Sequence, residues 1–303
     1  MGLSPRVETQ MKKRISSSIP YLFIAPSFIL LLLFFVLPVL AAFLMSFTDF
    51  DIYALGSIGN ARFVGIMNYT QLVSDSLFWK SMANTLYFLV VGGPVTIFVA
   101  LLAAVLLNSK VVRLKALFRL GFFAPVVATV VAVAVVWRYV YHPRFGLFNF
   151  VIGFLGISSR DWLSDPIWAM PAIILFAVWK NFGYTMMIFL AGLQAIPETL
   201  YEAAKIDGAN HWQQFWKITV PMLAPTTLFV TVITLIGYFQ VFAEPYIMTG
   251  GGPLNRTLSV VLLMYREGFR YWKMGYAASI AFILFAVIFV LTMIQLRLQK
   301  ERL

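Results

Sequence analysis

Residues Ala195 to Pro221 read AIPETLYEAAKIDGANHWQQFWKITVP, a polar stretch set between two long apolar runs. Pro197 suits the start of a helix, because its missing N–H would have no partner there. Glu198 and Glu202 follow in the first turns, where the helix dipole favours anions. Ala203 and Ala204 are strong helix formers, and Gly208 is a natural stop. Asn210 then caps a second helix, with Gln213 three residues on as its capping-box partner. His211 to Thr219 is amphipathic, and Val220-Pro221 leads into the next apolar run. The spacing therefore predicts two short helices meeting at a sharp turn. The Ala-Ala ridge lets another backbone approach closely, and Glu202 offers a carboxylate to a partner's arginine. The residues alone fit equally a docking element and an amphipathic hairpin lying on a membrane surface.

The runs on either side decide the fold class. The 303 residues are 61% hydrophobic and 12% charged, against roughly 45–50% and about 25% in soluble domains. Mean hydropathy is +0.87. A bilayer core about 30 Å thick takes roughly 20 apolar residues as a helix. Such runs fall at about 21–46, 85–107, 120–141, 167–190, 220–242 and 277–296. Gly92, Gly93 and Pro94 suggest a kink in the second. The first is too long for a signal-peptide core and is kept as a span. The expectation is an all-α integral membrane protein of six transmembrane helices. It forms one membrane domain over 21–296, with tails at 1–20 and 297–303. The first span and its loop, to about Asp75, are a possible appendage to a five-span core.

Lysine and arginine set the orientation. Thirteen fall in the N-terminal tail, the second and fourth loops and the C-terminal tail; eight fall on the opposite side; Arg138 and Lys180 lie inside spans. Both termini and the loop around Glu202 are thus expected in the cytoplasm, with the chain in the cell (inner) membrane. The net charge of +11 belongs to those loops and does not call for nucleic acid. Arg256, Arg266, Arg270 and Lys273 make the last external loop an exception to the rule.

Several chemistries are excluded. Cysteine is absent and there are two histidines, His142 and His211, so thiol catalysis and a clustered metal site are not expected. No phosphate loop, H-E-x-x-H pair or G-x-S-x-G elbow occurs. The chain is not expected to be an enzyme, and a nucleotide that energised it would be bound elsewhere.

The E-A-A sequence, the Gly six residues after Glu202 and the closing I-x-V-P closely resemble the EAA loop of ATP-binding-cassette importer permeases, apart from Val220 where Leu is usual. Phe63 to Phe88, Arg144 to Trp162 and Thr249 to Pro253 resemble the carbohydrate permeases within that family. The match runs from Tyr21 onward and is nearest to the larger permease of a maltose-type heterodimer. The resemblance implies a type I importer fold and ATP-driven sugar import by alternating access. The partners it implies are a second homologous permease, two ATPase subunits that bind ATP and Mg, and an extracytoplasmic sugar-binding protein; this chain would hold no cofactor. Glu202, Ala203, Ala204, Asp207, Gly208, Ala209 and Pro221 would form the contact with the ATPase.

Candidate sugar ligands are few because few polar side chains lie deep in spans. Lys180 sits inside the fourth, where an ionisable group faces a cavity or a partner rather than lipid. It is read as a donor to sugar hydroxyls, with pairing to a carboxylate (Glu244 being the nearest candidate) or to carbonyls as the alternative. Tyr184 shares its face, and Asn181 adjoins it. Thr234 and Tyr238 share a face of the fifth span, with Gln240 on another. The resemblance implies that residues at the positions of Asn181, Tyr184, Thr234 and Tyr238 hold sugar; helix–helix hydrogen bonding is the competing role. Gly250 to Pro253 is read either as an external turn that shapes contact with the binding protein or as a plain tight turn. An ion-coupled secondary transporter is the alternative function. It would need acidic relays inside spans, and these are lacking.

Overall fold

The computed structural model describes residues 20–55, 61–109 and 111–300. The expected tails lie largely outside these residues, as does Lys110. Helix α1 is Pro20–Met45, with a π-turn at Leu32–Val36 just before Pro38. Proline removes an N–H and crowds the carbonyl four residues back, which the wider turn relieves. Helix α2 is Met67–Ser74, and its Asn68 Nδ2 donates to the carbonyls of Ser46 and Thr48 at 2.9 and 2.8 Å, anchoring the end of α1.

Helix α3, Ser76–Asn108, starts nine residues before the expected span. The carboxylate of Asp75 caps it, accepting from the Leu77 N–H at 2.8 Å. Its polar first turns hold the loop that precedes Val260: Lys80 donates to the Leu254 carbonyl, and Asn84 to those of Asn255 and Leu258. The helix continues through Gly92, Gly93 and Pro94.

The third expected span is not one straight helix. It is α4, Lys115–Val127, and α5, Val130–Val140, bent by 101°. Ala128 and Thr129 between them are extended. A short α6, Leu147–Gly153, leads to α7, Ala169–Gln194. Then come α8, Glu198–Ile206, and α9, His211–Gln214, which continues through a π-turn into Val220–Met222. Helix α10 is Ala224–Phe239, α11 Ala243–Met248, α12 Val260–Tyr265 and α13 Met274–Lys300. Among the described residues, five helical stretches are long and apolar enough to cross a bilayer, α10 and α11 counting as one; the bent pair taken as one span makes six.

Helix α7 is the centre. Of its most apolar stretch 61% is buried inside the chain, against none for that of α1. Two apolar clusters flank the middle of α7. One gathers Met170 to Val178 with Phe88, Trp162 and Tyr238; the other gathers Met186 to Leu193 with Ala100, Ala104 and Val230. Between them the three central helices, α3, α7 and α10, bring their polar middle residues together.

Candidate functional site

A cavity of about 530 Å³ opens in that seam. Asn181, Tyr184 and Thr185 come from α7, Thr96 and Phe88 from α3, and Thr234 and Tyr238 from α10; Gln240 and Glu244 close one end. Four of the five residues expected to contact sugar are therefore neighbours in one chamber. Their states differ. Tyr184 is 49% exposed, with its face open. Asn181 Nδ2 donates to the Ala177 carbonyl at 2.9 Å, leaving its carbonyl oxygen toward other donors. Thr234 is buried. Tyr238 packs its ring on Phe88 at 4.9 Å and joins its hydroxyl to Thr96 Oγ1 at 2.5 Å. The Thr96 hydroxyl already gives its one proton to the Gly92 carbonyl. Tyr238 is thus the donor to Thr96, and Asn181 is the second side chain that reaches its oxygen. Gly92 allows this arrangement: a methyl there would meet the Tyr238 ring at 2.7 Å.

Lys180 does not join that wall. Its Nζ donates to the carbonyls of Pro125 and Ala128 at 2.9 and 2.8 Å. These are the orphan acceptors at the end of α4, where a helix leaves four carbonyls without internal partners and where the dipole favours a cation. The bend between α4 and α5 is thereby held by an ammonium from the central helix. Gly183, one turn on, lets the Phe122 backbone cross α7 where any side chain would collide with its carbonyl. The geometry matches the alternative role of Lys180, pairing with carbonyls.

The hairpin at 195–221 has the expected local form. Pro197 is the N-cap of α8. At its other end the Ala209 N–H donates to the Ala204 carbonyl and the Gly208 N–H to that of Lys205, with Gly208 at φ +79°. That is a Schellman stop, which needs a left-handed residue. Asn210 and Gln213 form the reciprocal capping box. Tyr201 and Thr219 join hydroxyls at 2.9 Å, tying the two arms. Glu202, Ala203, Asp207 and Gly208 are exposed, and so are Ile206 and Trp212, so the turn presents both charge and apolar surface.

At the opposite end, Arg266 bonds the Gly250 carbonyl and Asn255 Oδ1, while Thr257 bridges Thr249 and the Gly252 carbonyl. Lys273 pairs with Glu267 at 3.7 Å. Of Arg256, Arg266, Arg270 and Lys273, two thus bond within their own segment of the chain. Sequence spacing missed Gln240 as a neighbour of Tyr238. Helix α10 ends at Phe239, so the helical wheel that set Gln240 on another face no longer applies there.

The same fold occurs in a bacterial ABC transporter for import of the acidic polysaccharide alginate, with a TM-score of 0.79 at 22% identity over 96% of this chain and 99% of that one. In sequence, the chain is 37% identical over 284 residues to the arabinooligosaccharides transport system permease protein AraP of Bacillus subtilis (strain 168), covering 92% of this chain and 88% of AraP. It is 36% identical to the lactose transport system permease protein LacF of Rhizobium radiobacter, covering 93% and 94%. It is 35% identical to the sn-glycerol-3-phosphate transport system permease protein UgpA of Agrobacterium fabrum (strain C58 / ATCC 33970), covering 94% and 95%. These relatives are transport system permeases. The family model for the binding-protein-dependent transport system inner membrane component matches residues 78–302, and the chain belongs to that family of multi-pass ABC-importer permeases.

Proposed function

We propose that the chain forms one half of the translocation pathway of an ATP-driven carbohydrate importer, the other half being a second, homologous permease. The observation that carries the reading is the mid-span cavity, in which hydroxyl and amide side chains are set among apolar ones, a lining that suits a substrate with both hydroxyls and apolar ring faces. A sugar brings polar groups that lipid cannot satisfy, and tyrosine rings cover its apolar face while their oxygens bond its rim. Asn181, Tyr184, Thr234 and Tyr238 contact the sugar. Lys180 acts behind them as a positioning residue. The arabinooligosaccharide and lactose permeases among the relatives support the substrate class. An extracytoplasmic binding protein delivers the sugar, and two ATPase subunits hold ATP and Mg.

The hairpin at 195–221 is the coupling element. Glu202, Ala203, Ala204, Asp207, Gly208, Ala209 and Pro221 meet the ATPase, the exposed Ile206 adding apolar contact. One membrane domain spans 21–296 in the cell (inner) membrane, with the hairpin and both tails cytoplasmic.

The test is ATP-dependent oligosaccharide uptake by proteoliposomes holding the whole complex. Tyr184→Ala should cut uptake roughly 5- to 150-fold, the worth of about 1–3 kcal/mol, while assembly and ATP hydrolysis persist. Wild-type uptake that continues without ATP would overturn the reading. Because the chain lacks cysteine, topology has a clean assay. Cysteine at Lys205 should resist impermeant thiol reagents in intact cells, and cysteine at Arg160 should react.

A further inference from the structure

We propose that Glu244 makes the cavity selective by charge, admitting neutral or amino sugars and rejecting acidic ones. The inference rests on the reading of the cavity as the sugar site. Glu244 is the one carboxylate among the lining residues, and no lysine, arginine or histidine lines the chamber. The nearby base is Lys180, close enough to interact electrostatically with Glu244. Its ammonium is committed to the carbonyls of Pro125 and Ala128, outside the lining. The Glu244 carboxylate meets its own backbone N–H, and among the described residues it forms no salt bridge. A carboxylate has about four acceptor positions on two oxygens, so it suits two adjacent sugar hydroxyls or an ammonium group. A uronate or phosphate ester in the same chamber meets a like charge at low dielectric, where repulsion is strong.

The whole complex tests this without knowledge of the natural sugar. Ile233 lines the cavity, and Ile233→Cys creates the only thiol in the chain. Its rates of modification by a trimethylammonioethyl and a sulfonatoethyl methanethiosulfonate, each divided by the rate of a free thiol, read the local potential. The cationic reagent should be preferred roughly tenfold. Glu244→Gln should bring the ratio close to one, while Glu244→Asp keeps it. A ratio near one without substitution, or one that Glu244→Gln leaves unchanged in assembled complex, would overturn the proposal. Uptake of a neutral disaccharide against its uronate forms the second arm. Glu244→Gln should narrow that preference at least several-fold, and an unchanged preference counts against Glu244. If neither sugar enters, the sugar reading fails, and the thiol ratios still decide whether Glu244 sets the charge of the chamber.

Discussion

The hairpin at 195–221 and the cavity are both polar islands in an apolar chain, but they are built in opposite ways. The hairpin is made by neighbours in sequence. Its stop at Gly208, its cap at Asn210 and its Gln213 partner all lie within ten residues of one another. The cavity is made by residues from 88 to 244 that meet only when α3, α7 and α10 pack. A local device fails locally when altered, whereas an assembled one fails through the contacts that hold its walls. Substitutions in the two regions should therefore part company in what they disturb.

Lys180→Met should have the largest effect. It leaves the buried Pro125 carbonyl and the part-buried Ala128 carbonyl at the α4–α5 bend without their donor, at about 2–4 kcal/mol. Thermal stability of the complex should drop, and the surviving molecules should keep the wild-type order of sugar preference. A changed preference with unchanged stability would return Lys180 to the sugar-contacting set. Gly92→Ala comes next. Its methyl would press on the Tyr238 ring at 2.7 Å, and overpacking of this kind costs about 1–3 kcal/mol. Uptake should decline while ATPase attachment stays intact. Loss of attachment would mean that cavity and hairpin are not separable.

Gly208→Val should show the reverse pattern. A β-branched residue at φ +79° is strained by about 1–2 kcal/mol, and only the turn feels it, since nothing lies within 4 Å of the missing side chain. Co-purification of the ATPase or sugar-stimulated hydrolysis should fall while sugar binding persists. If both survive, the turn is a hairpin and not a coupling element.

The contrast also explains what was legible in the sequence. Capping residues announce themselves at fixed spacing, so α8, Gly208 and α9 were readable to within a residue. Hydropathy located the apolar runs, but it carries no signal for the bend at Ala128–Thr129, because one Ala-Thr pair among valines leaves the run apolar on average. The side chain that bonds the bend, Lys180, lies 52 residues beyond Ala128. The face shared by Thr234 and Tyr238 followed from helical period. Gln240 and Glu244 did not, because the period ends with α10, and Thr96 was invisible until Gly92 let Tyr238 reach it.

That last pairing gives the finest test. Thr96 donates to the Gly92 carbonyl, so Tyr238 donates to Thr96. Thr96→Val and Tyr238→Phe each remove the same bond, worth about 0.5–1.5 kcal/mol. Each should weaken sugar affinity or complex stability by that amount, and the double variant should cost little more than either single one. A double-mutant cycle on sugar affinity measures the coupling. Additive losses would mean that Tyr238 meets the sugar independently of Thr96. A coupling near 1 kcal/mol would mean that the Thr96 bond aims the tyrosine oxygen into the chamber, and that the wall is set by packing between α3 and α10 rather than by the tyrosine alone.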